Sequence, residues 1–376
     1  MTEPVLAGTE DHPQARMVLS TALASGQPSH AYLFHGPAGT GKRTVARAFA
    51  AELLAEGADD PDAVRARVKH GAHPDLTWVR PTGAHVMRVD DIEGPVVSAA
   101  TRTPFEARRR VFVLERVDTM NDEVANRLLK TLEEPAAYVH LILMTDALGR
   151  VLETVVSRCQ LVRFEPLQAA TIAAQLVADG VPAERAEACA RLALGNASRA
   201  RYLASEEGEE LRGEVERLVA AALAGGADAG AEPWRPLLAR AGTLGEAAEE
   251  AVANDAKRRL ELEPKGRERK AIEKEFEEAA KRDGRRARRE SLELSLTLAA
   301  LTFRDLICLA EEAPEAVLAS DRASALAEQA RSRDPRRLRE AAERCEDVRQ
   351  ALELNVMEDV ALAALGFRLA ALAGAR

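Results

Sequence analysis

Five short apolar runs punctuate the first 165 residues: Ala31 to Phe34, Leu76 to Val79, Val111 to Leu114, Leu141 to Met144 and Leu161 to Phe164. Each is too short for a helix, so each predicts a buried strand. The stretches between them space their apolar positions as helices do, and this alternation is the rhythm of a parallel α/β sheet. After Pro166 the strand pattern stops. Gln168 to Ala204 predicts a small helical unit broken at Gly180-Val181-Pro182 and at Gly195-Asn196. Ala224 to Pro233 predicts a loop, and everything beyond it predicts helix. Ser291 to Glu312 and Arg336 to Ala373 carry Leu and Ala at i, i+3, i+4 and i+7, stripes that need a covering surface from the same chain or from another subunit. Three domains follow: an α/β domain over 1–165, a helical lid over 166–208 and an all-α domain over 209–376.

Gly36-Pro37-Ala38-Gly39-Thr40-Gly41-Lys42 follows the first strand and opens the helical run Val45 to Leu54. That context makes it a P-loop. Gly36, Gly39 and Gly41 let backbone N–H groups wrap a phosphate at a helix N-terminus, and Lys42 neutralises it. The next position normally supplies a hydroxyl that ligates the Mg²⁺ bridging the β- and γ-phosphates. Here it is Arg43, while Thr44 lies one residue farther, turned by about 100° around the helix and so away from a metal. The strand Val111 to Leu114 is followed by Glu115 and Arg116, where a hydrolysing P-loop enzyme carries two acids, one for the metal and one for the attacking water. An arginine stays protonated and cannot act as a general base. The P-loop is therefore degenerate, and the cofactor expected at most is ATP or ADP with weak or absent Mg²⁺.

Length and composition narrow the classes further. With 376 residues the chain suits two to three domains. The 52 basic and 61 acidic residues leave a net charge of −9, which excludes a protein held on DNA by overall positive charge but leaves room for a local basic surface. The 2 Trp, 3 Tyr and 8 Phe form no cluster on which single-stranded bases could stack. Richness in Ala, Leu, Glu and Arg fits a mostly helical protein. Cys159, Cys189, Cys308 and Cys345 are scattered, with no CxxC pair, so no metal site is expected. A polar, acidic N-terminus and the lack of an apolar run of about 18 residues predict a soluble, cytoplasmic protein without membrane contact. Lys257 to Glu290 holds 14 basic and 9 acidic residues and almost no apolar face, and reads either as a solvated helical hairpin or as a basic handle.

From Asn121 the chain runs Asn121-Asp122-Glu123-Val124-Ala125-Asn126-Arg127-Leu128-Leu129-Lys130-Thr131-Leu132-Glu133-Glu134-Pro135, and Ser157-Arg158-Cys159 follows the next strand. This resembles the AAA+ clamp-loader subunits of bacterial DNA polymerase III, whose pattern is NxLLKTLEEPP followed by an SRC motif. Ala136 departs from it, standing where the second proline would be. Ser29-His30-Ala31-Tyr32-Leu33-Phe34 also looks like that family, and together the matches span Gln14 to Phe164.

The resemblance implies an α/β P-loop AAA+ domain with a helical lid, followed by an all-α collar that oligomerises. It implies the clamp-loader delta and gamma/tau subunits as partners, with the sliding clamp and primed DNA reached through the complex. Within the family the gamma/tau branch has an intact P-loop, an Asp-Glu pair and a zinc-binding cysteine cluster. Arg43, Glu115, Arg116 and the lack of cysteine between Lys42 and Cys159 make this chain look like the delta-prime branch instead. Its tail, Leu352 to Leu362, is similar to the ending of that branch's collar.

By the same resemblance Arg158 is an arginine finger presented to a neighbouring subunit's nucleotide, its alternative being a helix-cap or surface arginine. Thr145 sits where a sensor-1 group would feel a γ-phosphate, and equally where a strand-end cap would. Gly195-Asn196-Ala197-Ser198-Arg199-Ala200 resembles the start of a sensor-2 helix, with Arg199 one residue later than in ATP-hydrolysing members. The function implied is a largely non-hydrolysing clamp-loader subunit for DNA replication. Two alternatives stand beside it: a gamma/tau-like ATPase that hydrolyses ATP itself, with Glu115 and Thr44 substituting for the usual groups, and a helical scaffold with a relic P-loop.

Overall fold

All five predicted strands are present. In the computed structural model, which describes residues 6, 9–82, 86–225, 232–261, 267–352, 354 and 356–373, they are β1 (Ala31–His35), β2 (Leu76–Val79), β3 (Arg110–Leu114), β4 (Val139–Thr145) and β5 (Gln160–Arg163). They form one sheet in the order β2-β3-β4-β1-β5, and every pairing is parallel. The chain divides into two compact units, Met1–Gln168 with Gly195–Ala197, and Ala169–Leu194 with Ser198–Arg376. The sheet is the centre of the first.

Alternation along β1 sends Tyr32 and Phe34 to one face, where they meet Phe49, Leu53, Ile142, Met144 and Phe164 beneath the helix Lys42–Ala55. Ala31 and Leu33 point to the other, against Phe112, Leu114, Leu143, Leu128 and Leu132 of the side covered by the helix Asp122–Glu133. Because both faces are covered, the strands read as unbroken apolar runs rather than as alternating ones. Asn121 starts the second helix by accepting the N–H of Val124 at 2.9 Å, with Asp122 and Glu123 complementing the dipole in its first turn.

A parallel sheet gathers all its strand carboxyl ends at one edge and all its amino ends at the other. The carboxyl edge collects the segments after β1, β3 and β4. The amino edge collects Ser29, His30, Arg109, His140 and the residues just before β5. At that second edge the buried Asp75 carboxylate accepts the N–H groups of Phe105, Glu106 and Ala107 at 2.6, 2.9 and 2.9 Å and so fixes the chain entering β3.

The second unit is helical, as its sequence predicts. Ala169–Ala178 and Ala183–Leu192 are joined through Gly180, whose φ of 92° permits the turn. Arg212, with a side chain 3% exposed, donates to Asp321 at 2.7 Å and lies 3.8 Å from the Cys189 sulfur. Arg191 donates to the carbonyls of Val317 and Glu315 at 2.9 and 3.1 Å. These bonds tie the helix Ala183–Leu192 to the segment 315–321.

Of the charged stretch 257–290, the described residues fall within two long helices, Arg235–Glu261 and Arg267–Ala310, and 262–266 lie outside the described residues. A Cβ on Gly245 would lie 3.0 Å from the Gly284 carbonyl, and one on Gly242 would lie 3.4 Å from the Arg288 guanidinium, so the helices run antiparallel as a hairpin. Its basic side chains find acids: Arg286 pairs with Glu290 at 2.8 Å, and Arg288 with Glu358. The run Arg336 to Ala373, read from sequence as one stretch of helix, is two helices, Pro335–Leu352 and Glu358–Ala373. Glu358 and Asp359 begin the second with charge favoured at a helix N-terminus. Glu353 and Asn355 of the tail motif, and 226–231 of the predicted loop Ala224 to Pro233, lie outside the described residues. Among the described residues no helix is long and apolar enough to cross a membrane.

Candidate functional site

The P-loop leaves β1 at the carboxyl edge and turns into the helix Lys42–Ala55 through Gly41 at φ 85°. Two of its glycines are required, Gly36 by packing against backbone and Gly39 by its left-handed φ. A Cβ on Gly36, at φ 141°, would meet the Phe164 carbonyl oxygen at 2.0 Å, and one on Gly39, at φ 75°, would meet the Asn196 side chain at 1.9 Å. The loop is also held from below, where buried His12 approaches the Thr40 carbonyl at 2.7 Å through Nε2. A carbonyl only accepts, so Nε2 carries the proton. Burial keeps His12 below its ordinary pKa despite that bond.

Lys42 is 7% exposed and donates to the carbonyls of Gly36 and Pro37, both at 2.6 Å, and to Asp146 at 2.7 Å. Thr44 is exposed on the helix's first turn. Arg43 swings the other way, onto Glu115 at 2.5 Å. Glu115 is buried at the end of β3, and its other oxygen accepts from Trp78 Nε1 at 2.7 Å and from Arg80 at 3.2 Å. Burial alone would raise the Glu115 pKa, but Arg43, Trp78 and Arg80 outweigh it and hold the carboxyl below its usual range. Arg116 follows in the left-handed region, at φ 55°. Mg²⁺ does not fit this donor set: position 43 has no hydroxyl, and both oxygens of Glu115 already face cationic or N–H donors.

Thr145, buried at the end of β4, donates to Asp118 at 2.8 Å and accepts the Ala147 N–H at 3.0 Å, the contacts of a strand-end cap. Arg199 lies in the second unit, where burial and the neighbouring charge of Arg349 lower its pKa. The fold thus brings Gly36, Gly39, Gly41, Lys42, Glu115, Arg116 and Thr145 to one edge.

Arg158 stands at the opposite edge. It precedes β5, whose Gln160 pairs with Tyr32 near the start of β1. Its guanidinium donates to Glu133 at 2.6 Å and to the Thr154 carbonyl at 2.9 Å. A side chain 34% exposed lines an open cavity of about 730 Å³ with Ser29, His30, Leu132, Glu133 and Gln160. Burial pushes the adjacent Cys159 thiol up to about 12, which leaves it a packing group.

Sequence reasoning missed Asp146, Trp78, Arg80, Asp118, Glu133 and Asn196. Asp146 had a signal, since any polar residue following a strand of a parallel sheet reaches the P-loop edge. Trp78 had a weaker one, as one of two tryptophans in the chain.

Residues 11–168 match the family described as DNA polymerase III, delta subunit. A DNA polymerase III subunit delta' of Bacillus subtilis (strain 168) is 32% identical over 213 residues, covering 56% of this chain and 64% of the relative. The chain is similar to DNA polymerase III delta-prime subunits. The delta-prime subunit of Pseudomonas aeruginosa is 35% identical over 187 residues, covering 48% of this chain and 56% of its own length. The chain therefore matches less than two thirds of either delta-prime relative. The DNA polymerase III subunit tau of Bacillus subtilis (strain 168) is 32% identical over 164 residues, 42% of this chain and 28% of tau. The delta-prime likeness covers more of this chain than the tau likeness, and the family match over residues 11–168 takes in both the P-loop and Arg158.

Proposed function

We propose that this chain is a delta-prime-like subunit of the bacterial DNA polymerase III clamp loader, a cytoplasmic replication protein that does not hydrolyse ATP itself. It supplies Arg158 in trans and a scaffold to a ring with delta and gamma/tau subunits, which loads the sliding clamp on primed DNA. Residues 1–165 form the AAA+ domain, 166–208 the lid and 209–376 the collar.

The position of Arg158 carries this reading. Its guanidinium and the P-loop lie at opposite ends of β1, whose five residues (Ala31–His35) at about 3.3 Å each span roughly 16 Å. Arg158 cannot reach its own P-loop across that distance, so a phosphoryl group it serves must belong to another subunit. A guanidinium is always charged and forked, suited to charge developing on a γ-phosphoryl group. Hydrolysis in cis is opposed by Arg43 on Glu115 and by Arg116 where a general base would stand.

ATP turnover of the reconstituted complex tests it. Arg158→Ala should leave assembly intact and lower clamp- and DNA-stimulated ATPase, and Arg158→Lys should rescue little, because an ammonium lacks the fork. Turnover unchanged by Arg158→Ala would reduce the chain to a scaffold. Steady turnover by the isolated chain, abolished by Lys42→Ala, would instead support a gamma/tau-like ATPase.

A further inference from the structure

Two departures from a hydrolysing P-loop face each other across the carboxyl edge. Arg43 stands where a metal-ligating hydroxyl would, Glu115 stands where the metal-holding acid would, and they are joined at 2.5 Å. The Glu115 side chain is 3% exposed, while that of Arg43 is 54% exposed, so the acid is buried and the base comes to it from the rim. Trp78 and Arg80 share the other oxygen, and the Arg47 guanidinium lies 4.7 Å from the centre of the Trp78 ring, fixing the indole in place. A carboxylate this buried remains ionised only with positive charge against it.

We propose that the Arg43 guanidinium is the resident cation of this site, seated on Glu115 where a divalent ion would be, so that its response to nucleotide is indifferent to Mg²⁺. A tethered guanidinium is protonated at every working pH and present whatever the solution holds. A divalent ion would have to displace it and then sit beside it, with Lys42 also near, in a cluster of like charge. Arg43→Thr would make two changes at once, placing a hydroxyl on the first turn and releasing one Glu115 oxygen. The proposal extends the reading of the chain as a non-hydrolysing subunit. It is tested on the isolated full chain, where neither assembly nor Arg158 enters, so its failure would leave the clamp-loader assignment standing.

The measurement is binding of fluorescent ATP and ADP analogues in Mg²⁺ and in EDTA. For the unaltered chain the two conditions should agree within about twofold, whether binding is weak or below detection. Arg43→Thr should bind about tenfold or more tightly in Mg²⁺ than in EDTA, and Arg43→Lys, which keeps a cation on Glu115, should remain indifferent. Tighter binding by the unaltered chain in Mg²⁺ would overturn the proposal, and so would a folded Arg43→Thr chain without Mg²⁺ dependence. Should Arg43→Thr fail to fold, the double variant Arg43→Thr/Glu115→Gln decides. Recovery of folding would show that the missing cation was what the buried acid required, and no recovery would overturn the proposal.

Discussion

The two edges of the sheet in the first unit differ in how their charged groups are held. At the carboxyl edge Lys42 contacts two loop carbonyls and Asp146, Arg43 and Arg80 contact Glu115, and Thr145 contacts Asp118, so the polar groups expected to meet a nucleotide have partners within the chain. At the amino edge Arg158 also has a partner, Glu133, but the pair lies at the rim of an open cavity with the Glu133 side chain 49% exposed. A ligand arriving at the first edge must separate two buried charges, Lys42 and Glu115, from the half-exposed partners that hold them, Asp146, Arg43 and Arg80. One arriving at the second exchanges a solvent-screened contact, which costs little. The difference teaches that a degenerate P-loop can persist as structure, its lysine and its acid each held by side chains of the same chain.

Breaking the carboxyl edge should produce the largest effect. If its glycines serve packing, substituting Gly36 should damage folding whether or not nucleotide is present. A Cβ there meets the Phe164 carbonyl at 2.0 Å in a backbone conformation that side chains rarely adopt. Gly36→Ala should destabilise the first unit by about 4 kcal/mol or more. Gly71→Ala, also at positive φ but with nothing within 4 Å of its Cβ, should cost only about 1 to 2 kcal/mol. Denaturant unfolding without nucleotide measures both, and equal losses would show that backbone strain rather than close packing keeps Gly36.

How much of this was legible beforehand follows from what each feature depends on. The five strands were readable because a doubly covered parallel sheet makes each of them a continuous apolar run. The P-loop was readable because its glycines and Lys42 adjoin in sequence. The Arg43 to Glu115 pair was not, since it joins residues 72 positions apart, and the sequence showed only two defects in a pattern, without their complementarity. Arg158 was placed by its motif neighbours Ser157 and Cys159, but its distance from the P-loop emerged only once β5 was seen to pair beside β1. The break before Glu358 was hidden because apolar spacing continued through it.

The amino edge can be tested by pH. His140 is 2% exposed, approaches the Ser29 carbonyl at 2.9 Å through Nδ1 and Arg109 Nη1 at 2.7 Å through Nε2. The carbonyl requires Nδ1–H and the guanidinium requires an unprotonated Nε2, so only the neutral ring satisfies both. Burial first, then the charges of Arg109 and His30, outweigh the Ser29 carbonyl and Glu56 and lower its pKa to about 4. With 6.5 in the unfolded chain, the full contribution is present above pH 6.5 and declines as pH falls from 6.5 to about 4, where the unfolded state alone binds the proton. The gap corresponds to about 3 kcal/mol. Unfolding free energies measured across that range should show the slope in the unaltered chain and lose the His140 share of it in His140→Asn, which keeps a donor for Ser29 and leaves the share of His12, His35 and His73, also held below 6.5 by burial. Glu115 and Asp75, both held below their ordinary values, add acid lability only at lower pH, as each is forced to take a proton. A slope unchanged by His140→Asn would assign the lability to those other groups.

The smallest effect on stability should come from Arg158, and its smallness is informative. Its side chain is 34% exposed and its acidic partner 49% exposed, so solvent screens the pair and each long side chain loses rotamer freedom to hold it. Removing the guanidinium leaves Glu133 free to face water rather than stranded in a core. Arg158→Ala should therefore change unfolding free energy by no more than about 1 kcal/mol, while lowering turnover of the assembled complex far more than any loss of folded protein could explain. In GTPases a guanidinium acting in trans is worth roughly 10³ to 10⁵ in rate, and a ring with several active sites would lose only the share carried by the site this subunit faces. Thermal unfolding and complex ATPase on the same preparations separate the two effects. A large loss of stability in Arg158→Ala would make the Ser157-Arg158-Cys159 corner a structural brace, and the contrast between the two edges would fail at the residue on which it most depends.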